Sequence, residues 1–98
     1  MAPVEEVTVT NHPEALRYEA RIDGALAGFA AYRVHGDRIV FTHTEVDDAY
    51  EGRGVGGALA RGALDDVRAG GQYKVTALCP FISAWIQRHP DYQDLLGA

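Results

Sequence analysis

The stretch "YEGRGVGGAL", Tyr50 to Leu59, puts four glycines into ten residues and then runs directly into a helical pattern. Each glycine in a helix costs roughly 0.5–1 kcal/mol against alanine, so glycines at 54, 56 and 57 give up about 2–3 kcal/mol in a small domain. Something must approach the backbone closely to justify that loss. One reason is tight packing of a helix on a sheet, and Gly62, beside Ala58 and Ala63, suits it well. The other is an anion: unpaired N–H groups and the positive dipole end at a glycine-rich helix N-terminus meet phosphate oxygens. Three glycines together favour phosphate over packing.

The surrounding elements decide which phosphate. Upstream, "VEEVTVT", "LRYEARI", "ALAGFAAYRV" and "RIVFTHTEV" read as strands separated by turns, with Asp23-Gly24 a strong hairpin signal and Gly36-Asp37 a weaker one. This half is an antiparallel meander. In its last strand, strict alternation predicts Ile39, Phe41, His43 and Glu45 on one face and Val40, Thr42, Thr44 and Val46 on the other. Downstream, Val55 to Ala69 has helical spacing, with Val55, Leu59, Gly62, Ala63 and Val67 in one stripe and Gly70-Gly71 as the stop. "YKVTALC" follows as a short buried strand. A strand, helix and strand in this order predict a right-handed crossover and a parallel pair. Pro80 suits the first turn of a second helix, "FISAWIQRH", with a stripe of Phe81, Ala84, Trp85 and the stem of Arg88. Pro90 should stop that helix, and "DYQDLLGA" adds a final helical turn.

Gly52, Gly54 and Gly57 satisfy the G-x-G-x-x-G string of dinucleotide-binding folds, but that fingerprint needs a parallel setting and an acidic residue about 20 residues on. "VTALCP" offers none, and the strand before the glycines ends an antiparallel meander. A P-loop is excluded because no Gly-Lys-Ser/Thr follows.

Composition narrows the field further. The 98 residues are 47% apolar and 23% charged, which describes one globular domain, here expected to span residues 1–98. A net charge of -5 with one lysine, Lys74, argues against nucleic-acid binding. The longest apolar run, "ALAGFAAY", is far shorter than the about 20 residues a membrane span requires. "MAPVEEV" lacks the regions of a signal peptide, and the lone Cys79 forms no internal disulfide, so a cytoplasmic location is expected. One Cys and four scattered His show no metal-ligand spacing, so no metal is expected.

"YEGRGVGGAL" resembles motif A of the GNAT superfamily, the GCN5-related acetyltransferases, and with "FTHTEVDDAY", "ALCPFISAWI" and "RHPDY" it looks like a compact branch of about a hundred residues, the likeness running from Arg17 to Tyr92. The resemblance implies a minimal α+β fold: an antiparallel β-meander, a β-α-β crossover and a C-terminal helix. It also implies acetyl-CoA as co-substrate, held between "RIVFTHTEV" and "YKVTALC", with its pyrophosphate on the backbone amides of the glycine loop. The coenzyme-binding positions implied are Val46, Gly52, Arg53, Gly54, Val55, Gly56 and Gly57, then Pro80, Phe81, Trp85, Arg88 and His89. Glu51 stands where the superfamily usually has Gln or Arg, and is expected to point away from phosphate, with Arg53 supplying the positive charge. Superfamily members usually continue into further strands that close the acceptor pocket, so a shallow, exposed acceptor site is expected here.

Acetyl transfer to an amine needs a base and a proton for the leaving thiolate. Glu45 and His43 are the candidates for the base, against a salt bridge for Glu45 and a core position for His43. Cys79, between a strand and Pro80, falls at an N-cap-like position where a helix dipole favours the thiolate. It is an acyl-accepting nucleophile or the acid for the departing coenzyme, against the small buried hydrophobe that a lone cysteine usually is. Trp85 and Phe81 are read as core with one edge towards the coenzyme, and His89 as a phosphate contact or, preferably, a helix cap. The reading is an acetyl-CoA-dependent N-acetyltransferase acting on an amine. Its alternative is a non-catalytic acyl-CoA-binding or interaction module on the same fold.

Overall fold

The computed structural model describes residues 7–97. The expected first strand therefore lies partly outside the described residues; the remainder forms β1, Val7–His12. β2 (Arg17–Ile22), β3 (Ala25–His35) and β4 (Arg38–Val46) complete an antiparallel meander, and α1 (Val55–Gly70) crosses to β5 (Lys74–Ala77), which pairs parallel to β4. The sheet order is β1-β2-β3-β4-β5. α2, Pro80–Arg88, follows, and the tail is a 3-10 segment, Pro90–Leu96. The α+β class, meander, crossover and C-terminal helix agree with the sequence reading.

The helices cover one face of the sheet. Tyr18, Ala20, Ala30, Tyr32, Ile39 and Phe41 from the strands meet Val55, Leu59, Ala63, Leu64 and Val67 of α1, and all are buried. Gly62 is required by this layer, since a Cβ there would stand 2.8 Å from Cβ of Val9 on β1. On α2 the buried residues are Ile82, Trp85 and Ile86, whereas Phe81 and Ala84 are exposed. The expected stripe is thus rotated, because α2 also meets the tail: the Trp85 ring lies 4.9 Å from that of Tyr92, edge to face.

The opposite face is polar. Glu19, only 5% exposed, is held there by Arg17 and Arg21, each with a nitrogen 2.8 Å from a carboxylate oxygen. Its carboxyl is consequently held below the usual range, mainly by the hydrogen bonds from Arg21 and Arg17.

Two irregularities in β4 shape everything that follows. Phe41 pairs with Tyr32 and His43 with Ala31, so Thr42 is an extra residue, a β-bulge. Moreover, β5 accompanies β4 only as far as Phe41, whose carbonyl then accepts from both Leu78 N–H (3.0 Å) and Cys79 N–H (2.9 Å) as the chain turns into α2. Beyond that point the strands part, and among the described residues Thr42–Val46 has no strand neighbour on the β5 side.

Candidate active site

β5 leaves β4 after Phe41, and the glycine stretch follows the free end of β4. Asp47 Oδ1 accepts from Ala49 N–H at 2.9 Å and starts a single 3-10 turn, Asp48–Tyr50, that reverses the chain out of β4. Gly52 (φ +77°) and Gly54 (φ +78°) then take left-handed conformations that a side chain would strain, and Gly54 becomes the N-cap of α1. Ala58 N–H donates to the Gly54 carbonyl at 3.0 Å. The N–H groups of Val55, Gly56 and Gly57 thus belong to the first turn, where α-helix geometry supplies no acceptor.

The glycines of this turn divide by cause. A Cβ on Gly56 would stand 2.7 Å from Cζ of Phe81, so this glycine admits the ring of α2. A Cβ on Gly57 would meet only Trp85 Nε1, at 3.9 Å, an ordinary contact. Packing therefore accounts for Gly56 and Gly62 but not for Gly57. What remains at Gly57 is a first-turn N–H beside space for a side chain, which suits phosphate. Glu51 is exposed, and the Arg53 guanidinium lies over the Tyr50 ring at 5.2 Å from its centroid.

Cys79 is the N-cap residue of α2 and is 3% exposed. Its Sγ is 3.2 Å from Thr44 Oγ1, across the point where the strands part. Thr44 went unnoticed in the sequence because strict alternation put it opposite to the ionisable residues. The bulge reverses this: from Thr42 onward Thr44 and Val46 share the helix-covered face with Phe41, opposite Ala30 and Gly28. His43 and Glu45 turn to the polar face instead, each with a side chain 62% exposed and 3.8 Å apart. The expected single face of Ile39, Phe41, His43 and Glu45 does not exist. Glu45 is not buried; it borders a recess of about 340 Å³ together with Leu26, Phe29, Val46, Asp47 and Asp48. His43 is not in the core, and its ring lies 6.0 Å from that of Phe29.

On α2, Phe81 is 39% exposed and Trp85 buried. Trp85 is enclosed by Arg61, 5.4 Å over one face, and by His89, stacked at 3.8 Å. His89 caps the C-terminal end of α2, its Nδ1 donating to the Trp85 carbonyl at 2.7 Å. That bond places the proton on Nδ1 and leaves Nε2 as an acceptor in the neutral ring. Arg88 is exposed in the last turn. Among the described residues no group of three or more His, Cys, Asp or Glu could hold a metal, and no helix is long and apolar enough to cross a membrane.

A short parallel strand pair, with a glycine-rich helix start between its strands in the chain, is the architecture of a small fold of the GCN5-related type. Residues 17–95 match the family described as GCN5-related N-acetyl-transferase, and the chain belongs to it. Among curated proteins it is similar to Protein NATD1 of Mus musculus, 33% identical over 86 residues, covering 86% of this chain and 77% of that protein. It is also similar to Protein NATD1 of Gallus gallus and of Homo sapiens, each 42% identical over 60 residues. Those matches cover 60% of this chain and about half of each relative, 54% and 52%.

Proposed function

We propose that the chain transfers an acetyl group from acetyl-CoA to an amine, with the coenzyme entering the cleft between β4 and β5. The observation that carries this reading is a conjunction: a first-turn glycine, Gly57, that packing does not require on one side and the Thr44–Cys79 contact on the other. Gly54, Val55, Gly56 and Gly57 would hold the pyrophosphate by their backbone N–H groups, with Gly52 shaping the turn and Arg53 adding charge. The unpaired edge of β4, ending at Val46, offers N–H and C=O groups to the amides of an extended ligand. Pro80, Phe81 and Trp85 would wall the cleft, with Arg88 and His89 at its outer end.

Bound acetyl-CoA supplies an activated thioester, whose C–S bond breaks as the amine nitrogen forms its bond to the acetyl carbon. The chain's own groups then divide the proton work. Glu45 or His43, on the polar face, would accept the proton lost by the amine, which approaches through the recess beside Glu45. Cys79, on the helix-covered face, would return a proton to the departing thiolate; alternatively it would first take the acetyl group, its thiol proton passing to the coenzyme sulfur, and the amine would then displace Cys79 from the acetyl carbon. Thr44 would orient the sulfur in either case. The bulge makes this division a geometric one, since it turns His43 and Glu45 to the polar face and Thr44, the partner of Cys79, to the other.

That same exposure of Glu45 and His43 favours a second reading, a module that binds acyl-CoA without catalysis, because exposed carboxylates make ordinary solvated pairs. An NMR titration with acetyl-CoA, followed by an amine screen read by release of free thiol, separates the two. Transfer predicts shifts confined to Thr44–Val46, Gly52–Leu59 and Cys79–His89, and turnover lost in Cys79→Ala and Glu45→Gln. Binding with no acetylated amine in the parent protein selects the module. Shifts elsewhere in the chain overturn both.

A further inference from the structure

At the far end of α1 from the glycine loop is a second cavity, of about 300 Å³, between that helix and the first halves of β2 and β4. Its chemistry is distinct from that of the cleft. Leu16, Val34, Ile39 and Val67 give it an aliphatic body, and Tyr18 and Tyr32, nearly buried with ring centroids 5.5 Å apart, give it an aromatic wall. Both tyrosine hydroxyls already donate: Tyr18 to Asp66 Oδ2 at 2.6 Å, and Tyr32 to Asn11 Oδ1 at 2.7 Å. What the hydroxyls retain is acceptor capacity. Asp66 is exposed and keeps acceptor sites after its bond to Tyr18. Among the described residues lining the cavity there is no Lys, Arg or His to neutralise that carboxylate.

The mouth is also unusual. Leu16 and Val34, at 36% and 41% exposure, are two of the large apolar side chains that the described residues leave in solvent. Leu16 holds a left-handed backbone (φ 55°), and its carbonyl accepts from Tyr32 N–H at 2.9 Å, which fixes this residue at the rim. An apolar, tyrosine-walled cavity with surplus acceptors and one unneutralised carboxylate selects for an organic cation with an apolar body. The geometry points to a binding site here for a small arylalkyl- or alkylammonium compound, separate from the acetyl-CoA cleft. Asp66 receives the ammonium, the rings of Tyr18, Tyr32 and Tyr73 flank it, and the apolar part lies against Leu16 and Val34. Asp66 is eleven residues along α1 from Val55, about 16 Å at 1.5 Å per residue, so both sites can be filled together.

The test is an amide NMR titration of the whole chain with 2-phenylethylammonium chloride and, in parallel, with the neutral 2-phenylethanol. The expected result is saturable shifts at Leu16, Val34, Gly70 and Gln72 with the amine, unchanged when acetyl-CoA is present. The alcohol should bind at least about threefold more weakly, the order of effect a partly exposed carboxylate gives. Asp66→Asn keeps an acceptor for Tyr18 and should reduce the amine to the level of the alcohol, while Val34→Trp, at an exposed position, should block both. Melting of each variant checks that it is folded. Equal affinity for amine and alcohol, an unaltered amine affinity in Asp66→Asn, shifts spread over the acidic surface at Asp47 and Asp48 instead, or competition with acetyl-CoA each overturns the assignment.

Discussion

Gly57 is the residue on which the phosphate reading turns, because nothing in the packing requires it to lack a side chain. Gly57→Ala should therefore stabilise the fold by about 0.5 kcal/mol through helix propensity and raise Tm by roughly 2–4 °C, while weakening acetyl-CoA about tenfold by filling the cradle. Thermal melting and calorimetric titration measure the two effects separately; a lowered Tm would return Gly57 to a packing role. Gly62→Ala is its opposite, since the new methyl meets the branched Cβ of Val9 at 2.8 Å and both backbones are fixed. A loss of about 1–3 kcal/mol is expected, with no change in coenzyme affinity once stability is allowed for. At the apex of the cleft, Thr44→Val preserves shape and removes the hydroxyl 3.2 Å from Cys79 Sγ. Alkylation of Cys79 by iodoacetamide should slow by roughly threefold to tenfold, because the sulfur loses its hydroxyl partner. An equal or faster rate would show that the hydroxyl contributes nothing to the sulfur's reactivity.

Among the elements, β4 is where a regular strand becomes a site. Its first half is bound on both edges and its second half on one, and the bulge at Thr42 falls at the changeover. One extra residue on one strand reverses which face each later side chain takes relative to strict alternation. The bound half is fastened by Arg38, which donates to Thr76 Oγ1 at 2.8 Å, to the Val75 carbonyl at 2.9 Å and to the Leu96 carbonyl at 2.7 Å. It ties the start of β4 to β5 and to the tail. Arg38→Met should destabilise by about 1.5–3 kcal/mol, the range for hydrogen bonds from a charged group. Hydrogen exchange should show the loss concentrated at Leu95, Leu96 and Gly97, and uniform loss across the sheet would contradict this local role.

For the molecule as a whole, titration sets the limits of stability from two sides. Glu19 is held below the usual carboxylate range by Arg21 and Arg17, and Asp94 by Arg68, whose guanidinium lies 2.8 Å from it. A depressed folded value means that stability is present above the unfolded value of about 4 and is lost as pH falls through the folded one. Tyr18 and Tyr32 are pushed up chiefly by burial, and Tyr92 chiefly by its hydrogen bond to Asp65. For these the sign reverses: stability is complete below the unfolded value of about 10 and is lost as pH rises above it. Urea midpoints should therefore be flat between about pH 5 and 9 and fall on both sides. On the alkaline side, unfolding should coincide with tyrosinate absorbance. Tyr18→Phe should lessen the alkaline decline, and an unchanged slope would remove Tyr18 from its cause.

The sequence by itself determined the order of strands and helices, the crossover, and the glycine-rich helix start beside "CPF". These follow from local rules of period, proline and glycine, which act within a few residues. It did not determine which way His43, Thr44 and Glu45 face, because "FTHTE" carries no local mark of a bulge: the extra residue exists only through pairing with Ala31 and Tyr32. Likewise the sequence grouped Gly56 with Gly57 and Phe81 with Trp85, whereas contact between α1 and α2 assigns Gly56 to packing, exposes Phe81 and buries Trp85 beneath His89. The Thr44–Cys79 contact joins residues 35 apart in sequence. Only the tertiary structure could decide it, since neither partner's local pattern encodes where β4 and β5 part.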